Sequence, residues 1–250
     1  MSGRLSIVGL GPGDTNLITP EATAALAEAT DVVGYAPYVR RVPARAGLTR
    51  HETDNREELV RAAHALRMAR DGRRVVVVSS GDPGVFAMAS AVFETIDAGT
   101  TDWRDLDIRV LPGITAMLAA SARAGAPLGH DFCAVNLSDN LKPWALIERR
   151  LRLVVEADFA IALYNPRSKA RPEGMARALD LLREVCEPER LIIFARAVST
   201  ADEDIRVVHL SDAAPDMADM RTVVLIGSSS TRIIPRDGAP FVYTPRSVPE

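Results

Sequence analysis

Cysteine is scarce in this chain of 250 residues, which contains only Cys133 and Cys186. The two are far apart and form no CxxC pattern, so the sequence predicts reduced core thiols rather than a disulfide framework or a zinc site. The chain also lacks an HExxH motif, clustered Cys and His ligands, and a GxSxG turn. We therefore expect no metal site and no serine nucleophile.

Long apolar runs and an excess of positive charge are also missing. No segment approaches the ~20 apolar residues of a membrane span, and no signal-type stretch precedes the apolar residues 5–8. The formal net charge of −3 argues against a general nucleic-acid binder, which needs basic residues for its phosphate contacts. With 47% hydrophobic and 25% charged residues, the composition indicates a cytoplasmic enzyme with one large or two modest domains.

Short β-branched runs alternate with helical stretches along the whole chain, which is typical of βα units that build a parallel sheet. Thr19 and Pro20 predict the cap and first turn of the first helix. The predicted strands are 5–8, 31–34, 75–79 and 108–111, and the predicted helices are 20–29, 56–71 and 86–97.

A second series of elements follows Pro112-Gly113 and predicts a second sheet. Its strands are 133–137, 159–164, 191–195, 207–209 and 222–226, and its helices are 142–151 and 172–184. The fold class is therefore α/β, with an N-terminal α/β domain over 1–117 and a C-terminal one over 118–250. We expect a cleft between the two domains, because clefts between domains commonly bind ligands.

The strongest functional signal is the segment 79–86, Ser-Ser-Gly-Asp-Pro-Gly-Val-Phe, which follows the apolar run 74–78. It predicts a buried strand that ends in a glycine loop. Strands of open α/β sheets present their carboxyl ends to ligands, and Gly81 and Gly84 let the backbone approach one closely. Asp82 would then face the ligand. A plain strand-to-helix turn is the alternative, since Asp, Pro and Gly are common turn residues.

Another glycine loop, Gly-Leu-Gly-Pro-Gly-Asp over 9–14, follows the first predicted strand. In the dinucleotide-binding fingerprint the glycines open directly into a helix, so that a pyrophosphate meets the helix N-terminus. Here residues 14–18 intervene before the predicted cap at Thr19, and this spacing argues against a dinucleotide site. A turn shaped only by packing is the alternative.

Together, the loop 9–14 with Leu17 and Thr19, the Gly-Asp-Pro of 81–83 and the Pro-Gly-Ile-Thr-Ala of 112–116 resemble the tetrapyrrole methylase family. The resemblance covers almost the whole chain. It implies two α/β domains rather than a Rossmann methyltransferase, S-adenosylmethionine as methyl donor with S-adenosylhomocysteine as product, a tetrapyrrole substrate, and a homodimer.

Further motifs at 34–38, 129–132, 137–139 and 163–168 resemble the branch of the family that serves cobalamin biosynthesis. They imply methyl transfer to carbon 17 of a precorrin with contraction of the ring. The alternatives are a sibling methylase that acts at another position or on a cobalt-containing intermediate, an rRNA or diphthamide methylase, and a non-catalytic dinucleotide-binding module. The negative net charge weakens the rRNA alternative.

The resemblance also implies which residues bind the donor. It places the amino-acid end against the second glycine loop and the adenosine against residues later in the chain. The implied donor contacts are Ser80, Gly81, Asp82, Val85, Thr115, Ala116, Tyr164, Asn165, Ala197, Thr222 and Val223. Asp82 and Tyr35 are the candidate catalytic residues.

Tyr35, Tyr38, Arg40 and Arg41 follow the second predicted strand. The family's substrate carries acetate and propionate groups, which guanidinium groups bind well, so we expect Arg40 or Arg41 to hold carboxylates. The tyrosines would line the macrocycle or donate a proton during ring contraction. A solvated basic loop and simple aromatic packing are the alternatives.

Pro12 and His130 complete the predicted substrate-binding set. His130 belongs to one of the cobalamin-type motifs. A structural imidazole bonded to Asp131 or to the backbone is the equally weighted alternative.

Overall fold

A computed structural model of the chain describes residues 3–54 and 56–247. It divides into two compact units, Met1–Thr115 and Ala116–Glu250. The division lies two residues before the domain boundary placed at 117 from the sequence. No helix of the described residues is both long and apolar enough to cross a membrane.

The first unit is built on a parallel sheet whose strand order is β3-β2-β4-β1-β5. Each of the four predicted strands is present. The strands are β1 (Arg4–Gly9), β2 (Asp31–Tyr35), β3 (Thr49–Thr53), β4 (Arg74–Ser79) and β5 (Asp107–Leu111). The edge strand β3 was not predicted, because its sequence Thr-Arg-His-Glu-Thr has no apolar residue to mark a buried face.

Helices cover both faces of this sheet. They are α1 (Pro20–Glu28), α2 (Ala36–Val39), α3 (Glu58–Arg70) and α4 (Met88–Asp97). The predicted cap of α1 is confirmed, since the Thr19 hydroxyl accepts a hydrogen bond from Ala22 N. Helix α4 begins two residues later than predicted, because Phe86 has φ +52° and Ala87 is extended. The short helix α2 was not predicted.

Alternation along the strands divides the first core into two layers, because successive side chains of a strand point to opposite faces. Leu5, Ile7 and Val77 pack with α3 and α4 on one face, whereas Val8 and Val78 pack with α1 and α2 on the other. The sheet is therefore buried on both sides, as expected for parallel strands with continuous apolar runs.

The second unit contains a five-stranded sheet of order β10-β9-β11-β8-β7 and a small sheet of order β12-β13-β6. Its strands are β6 (Gly125–Ala126), β7 (Phe132–Asn136), β8 (Ala160–Tyr164), β9 (Leu191–Arg196), β10 (Asp204–His209), β11 (Thr222–Ile226), β12 (Arg232–Ile234) and β13 (Phe241–Tyr243). Its helices are α5 (Ala116–Ala124), α6 (Trp144–Glu156) and α7 (Gly174–Val185).

The expectation that βα units would make the second sheet parallel is wrong for most of its pairs. Only β7 and β8 pair in parallel in the described part of this sheet, whereas β11 is antiparallel to β8 and β9, and β10 is antiparallel to β9. The connection from β9 to β10 spans only residues 197–203, which is too short for the crossover that parallel strands require.

Helices α6 and α7 pack against one face of this sheet, where Ile147, Leu151 and Leu179 of the helices and Phe194 of β9 belong to one core cluster. Helix α5 packs against β11. Cys133 and Cys186 are half-buried free thiols at the edge of this core, and burial raises the pKa of both.

Candidate functional site

Three glycines meet at the carboxyl edge of the first sheet, where β4 and β5 flank β1. A Cβ on Gly9 would lie 2.5 Å from Gly81 O and 2.8 Å from Gly113 N, and a Cβ on Gly113 would lie 2.2 Å from Gly81 O. The obstructing atoms belong to the backbone and have little freedom to move. The three motifs that carry the family resemblance are therefore in direct contact, and this contact has no room for a side chain.

Reciprocal hydrogen bonds lock the first two loops together. Gly11 N donates to Gly81 O at 3.1 Å, and Gly81 N donates to Gly11 O at 2.9 Å. Both residues have φ +64°, a conformation that glycine adopts without strain. The first loop thus pairs with the second. Helix α1 begins only at Pro20, so the loop does not open directly into a helix as it does in the dinucleotide-binding fingerprint.

Asp82 connects the second loop to the third. Its Oδ1 accepts a hydrogen bond from Gly84 N at 2.8 Å, and its Oδ2 accepts one from Gly113 N at 3.0 Å. The turn interpretation therefore accounts for both oxygens. A carboxylate has further lone pairs, so the half-buried Asp82 can still accept a hydrogen bond from an ammonium group.

The half-buried Arg41 side chain bonds to oxygen atoms of both glycine loops. Its Nη2 donates to Leu10 O at 2.6 Å, and its Nη1 donates to Gly11 O at 3.2 Å and to Ser80 Oγ at 3.3 Å. Burial lowers the pKa of Arg41. These bonds turn the guanidinium into a clamp on both loops, and its binding of a substrate carboxylate stays a prediction.

The neighbouring arginines are also engaged. Exposed Arg40 forms an ion pair with Glu52, with Nη2 and Oε2 2.8 Å apart. Arg45 donates to Leu26 O at 3.1 Å, and Arg50 donates to Val42 O. The arginines of the basic stretch after α2 thus bind acceptor groups of the protein itself.

Tyr35 and Tyr38 form an edge-to-face pair with ring centroids 5.3 Å apart. Burial, helped by the neighbouring Tyr35, raises the pKa of Tyr38 above its usual value, so that phenol stays protonated at neutral pH. Tyr35 ends β2, directly before α2. Pro12 and Val85 are half-buried in the two glycine loops.

In the second unit, the predicted adenosine residues lie at one edge of the five-stranded sheet. Tyr164 ends β8 and Asn165 follows it, while Ala197 follows β9. Thr222 and Val223 begin β11, which runs antiparallel to both strands and therefore starts where they end. The structure thus brings together five predicted residues that are widely separated in sequence.

Two of these residues have a backbone conformation that is unusual for them. Asn165 has φ +52° and Ala197 has φ +49°. Such left-handed non-glycine residues cost about 1–3 kcal/mol and concentrate at functional sites. Ala197 has no polar side chain to offset this cost, so the sheet edge carries strain where the adenosine site is predicted.

Side-chain hydrogen bonds order the same edge. Tyr164 OH accepts from Met117 N at 3.0 Å, which ties the strand end to the first turn of α5, the helix that begins at Ala116. Asn165 Nδ2 donates to Asn136 Oδ1 at 3.1 Å. Asn136 was missed from the sequence, although it ends β7, precedes the quoted motif 137–139 and aligns with Tyr164 in the register.

Thr115, Thr222 and Val223 are buried. The Thr222 hydroxyl donates to Asp219 Oδ1 at 2.9 Å and accepts from Asp219 N at 3.0 Å, so it is used within its own turn. The backbone N–H of Thr222 also donates within this turn, to Asp219 O at 3.2 Å, so neither group is free to donate to a ligand.

His130 lies apart from these residues. It precedes β7 and thus stands at the amino end of that strand, whereas Asn136 and Tyr164 lie at the carboxyl ends of β7 and β8. Its Nδ1 is 3.8 Å from Asp131 Oδ2, too far for a hydrogen bond, so both interpretations of His130 stay predictions. The structure does not bring His130 together with the other predicted residues of this unit.

Comparisons with known proteins agree with these arrangements. The family model for tetrapyrrole (corrin/porphyrin) methylases matches residues 4–214. A protein from Sinorhizobium sp, named precorrin-3B C(17)-methyltransferase, is 54% identical over 98% of this chain and 97% of its own length. A probable cobalt-factor III C(17)-methyltransferase from Salmonella typhimurium is 37% identical over 97% of this chain and 98% of its own length.

The protein CobIJ of Mycobacterium tuberculosis is 44% identical over 100% of this chain, which spans only 49% of that relative. Among solved structures, the methyltransferase CobJ matches with a TM-score of 0.93 and 65% identity, covering 98% of this chain and 100% of its own. A Thermus thermophilus uroporphyrin-III C-methyltransferase, complexed with S-adenosylhomocysteine, has a TM-score of 0.67 and 24% identity over 90% of this chain and 97% of its own, a likeness of fold. The chain therefore belongs to the tetrapyrrole (corrin/porphyrin) methylase family.

Proposed function

We propose that this protein transfers the methyl group of S-adenosylmethionine to carbon 17 of precorrin-3B and contracts the ring to give precorrin-4, in cobalamin biosynthesis. The observation that carries the proposal is the 54% identity, over nearly the full length of both chains, to a precorrin-3B C(17)-methyltransferase. The contact of the three glycine motifs at one sheet edge supports it.

Two groups of residues bind the donor in this proposal. Ser80, Gly81, Asp82 and Val85 hold its amino-acid end, where a carboxylate and closely packed backbone suit a charged ammonium group. The second group holds the adenosine through backbone groups and small side chains at the strained sheet edge. It consists of Tyr164, Asn165, Ala197, Thr222 and Val223, and Thr115 and Ala116 form a further contact with the donor.

The donor supplies an electrophilic sulfonium methyl group. An electron-rich carbon of the macrocycle attacks this methyl carbon, the bond between sulfur and methyl breaks, and S-adenosylhomocysteine leaves with the electron pair. For such a displacement the protein mainly holds the two partners in line, and alignment alone can lower the barrier by several kcal/mol. Asp82 fits this task, because its two backbone hydrogen bonds fix the carboxylate. Tyr35 is the proposed proton donor in ring contraction.

Incubation with labelled S-adenosylmethionine and metal-free precorrin-3B tests this function. The expected product gains one labelled methyl group, has the mass of precorrin-4 and carries the label at carbon 17 of a contracted ring. Methylation of rRNA or of diphthamide precursors, with no tetrapyrrole product, would contradict the proposal.

The main competing function is methylation of the cobalt-containing counterpart. The relative named for cobalt-factor III is 37% identical, compared with 54% for the relative named for precorrin-3B, and this difference favours the metal-free substrate. Paired assays with both substrates decide between them by kcat/KM.

Replacing Tyr35 with Phe tests proton donation separately. The variant keeps the ring that packs against Tyr38 but loses the hydroxyl, so methylated and uncontracted product should accumulate. Normal release of contracted product would assign Tyr35 to packing alone.

We also propose that the protein works in the cytoplasm as a homodimer, because two-fold association is the commonest assembly of oligomeric enzymes. Light scattering at micromolar concentration should report about twice the chain mass of 27.0 kDa. A particle of 27.0 kDa would refute the dimer.

A further inference from the structure

The substrate of the proposed function carries carboxylates around its rim, and cationic side chains of the protein would bind them. Arg40 is paired with Glu52, and Arg41 is held by Leu10 O and Gly11 O. The cations that the sequence pointed to are therefore occupied. Cations without such partners are better placed to meet the acidic rim of the macrocycle.

Two loops of the second unit lie side by side at the predicted adenosine edge. One follows β7 and the other follows β8, and these two strands are parallel. Leu137 N donates to Tyr164 O at 2.9 Å, and a Cβ on Gly174, which directly follows the second loop, would lie 3.9 Å from Leu137 O. These contacts and the Asn165–Asn136 bond hold the loops 137–143 and 165–173 together at the carboxyl edge of the sheet.

These loops carry a group of cations, here called the loop cations: Lys142, Arg167, Lys169 and Arg171. Among the residues that the structure describes, none of the four forms an ion pair with a carboxylate. Lys142 is half-buried and donates only to a neutral group, Ser138 O, at 3.1 Å. Arg167 and Arg171 are half-exposed, and Lys169 is exposed.

Two of the loop cations, Lys142 and Arg171, lie close enough to repel each other. Burial, together with the charges of Arg150 and Arg171, lowers the pKa of Lys142, and nearby Asp139 offsets only part of this. Positive charge crowded in this way, in a chain whose net charge is −3, is a local feature that favours binding of an anion.

A tight turn fixes the spacing of the cations in the second loop. Ser168 N donates to Arg171 O at 3.0 Å, Arg171 N donates to Ser168 O at 3.1 Å, and Ser168 Oγ accepts from Arg171 N at 3.0 Å. The turn holds Arg167, Lys169 and Arg171 together before any ligand arrives, which reduces the entropy cost of binding.

We propose that the loop cations bind acetate and propionate carboxylates of the tetrapyrrole, next to the adenosine edge. This inference rests on the proposed function and assigns its substrate-binding charge to the second unit, in place of the arginines after α2. The cations position the macrocycle and take no part in the transfer of the methyl group.

The test compares two double variants that each remove two positive charges. In the first, Lys169→Gln with Arg171→Gln removes two loop cations. In the control, Arg74→Gln with Arg232→Gln removes two exposed arginines on β4 and β12 that form no ion pair among the described residues. The measured quantities are KM for precorrin-3B, Kd for S-adenosylhomocysteine, and binding of uroporphyrin as a stable polycarboxylate probe.

The loop variant should raise KM and the uroporphyrin Kd about tenfold, while kcat and donor affinity stay close to wild type. Wild-type affinity for uroporphyrin should fall steeply with added salt, and the variant should show a shallower slope. Coproporphyrin, which has fewer carboxylates, should bind more weakly than uroporphyrin. Its Kd should differ less between the wild type and the loop variant. The control should behave as wild type.

Unchanged KM and an unchanged salt slope in the loop variant would overturn the proposal. An equal loss in the control would also overturn it, since net charge alone would then explain the effect. Failure of the proposed function is distinguishable, because wild-type protein would then yield no methylated tetrapyrrole at all.

Discussion

The carboxyl edges of the two large sheets differ in the kind of contact that holds their loops. At the first, Gly9, Gly81 and Gly113 bring backbone against backbone, and hydrogen bonds between loops hold the contact. At the second, non-glycine residues accept left-handed backbone, and the side chains of Tyr164 and Asn165 make the connections. One edge is shaped by the absence of side chains and the other by their presence, so the two should respond oppositely to substitution.

The largest expected effect is at the first edge. Gly113→Ala places a Cβ within 2.2 Å of Gly81 O, and the resulting overlap should lower the free energy of unfolding by about 3 kcal/mol. Urea titration measures it. Gly47→Ala is the control, because nothing lies within 4 Å of that Cβ and only the backbone at φ +76° is strained. Equal losses at both positions would show that the glycine contact is not close.

Arg41→Met should have the next largest effect. It deprives the carbonyls of Leu10 and Gly11 of their donor, and we expect a loss of about 2 kcal/mol in the free energy of unfolding. Because the clamp also holds Ser80, donor affinity should fall as well.

Arg40→Met is the matched control, since Arg40 is exposed and pairs with Glu52. It should leave unfolding and donor binding unchanged. If Arg41→Met instead raised KM for the tetrapyrrole alone, with wild-type stability, the sequence-based interpretation of Arg41 would be correct.

At the second edge a glycine should help and not harm. Ala197→Gly relieves a backbone at φ +49° and should raise the free energy of unfolding by about 1 kcal/mol. Ala195→Gly, in the regular part of β9, should lower it by a similar amount. Thermal and urea unfolding report both, and a loss at position 197 would mean that the strain is absent.

The smallest expected effect is a pH dependence of the stability of the first unit, caused by His64. Burial, with the positive charges of His51 and Arg67, lowers the pKa of His64 below its usual 6.5. The unfolded chain therefore binds this proton more readily, and stability is lost as the pH falls through 6.5 toward the folded pKa. Melting temperatures of wild type and His64→Gln between pH 7.5 and 5.5 should converge at the lower pH, and parallel curves would contradict the assignment.

The sequence predicted the first edge better than the second. Continuous apolar runs identify β1 and β4, and glycines at strand ends identify the loops that the structure joins. The direction of β9, β10 and β11 depends on pairing between distant segments, which local pattern does not encode. β6, with two residues, and the three-residue strands β12 and β13 are too short to show any period.

Side-chain partners were harder to predict than backbone. Nothing in the pattern around Arg41 shows that its guanidinium turns toward Leu10 and Gly11, because those acceptors lie about 30 residues earlier in the chain. His130 shares a motif with the family, yet its place at the amino end of β7 follows only from the strand register.

The contact among Gly9, Gly81 and Gly113 also bears on how the chain is made. On the ribosome, the loop at 81 emerges before Gly113 N, the group that Asp82 Oδ2 accepts from. A nascent chain released before that point lacks both this donor and β5, the strand that flanks β1. The glycine loop at residues 80–86 therefore reaches its final shape only after nearly half of the protein has been translated. Truncated chains should be sensitive to proteolysis in this loop.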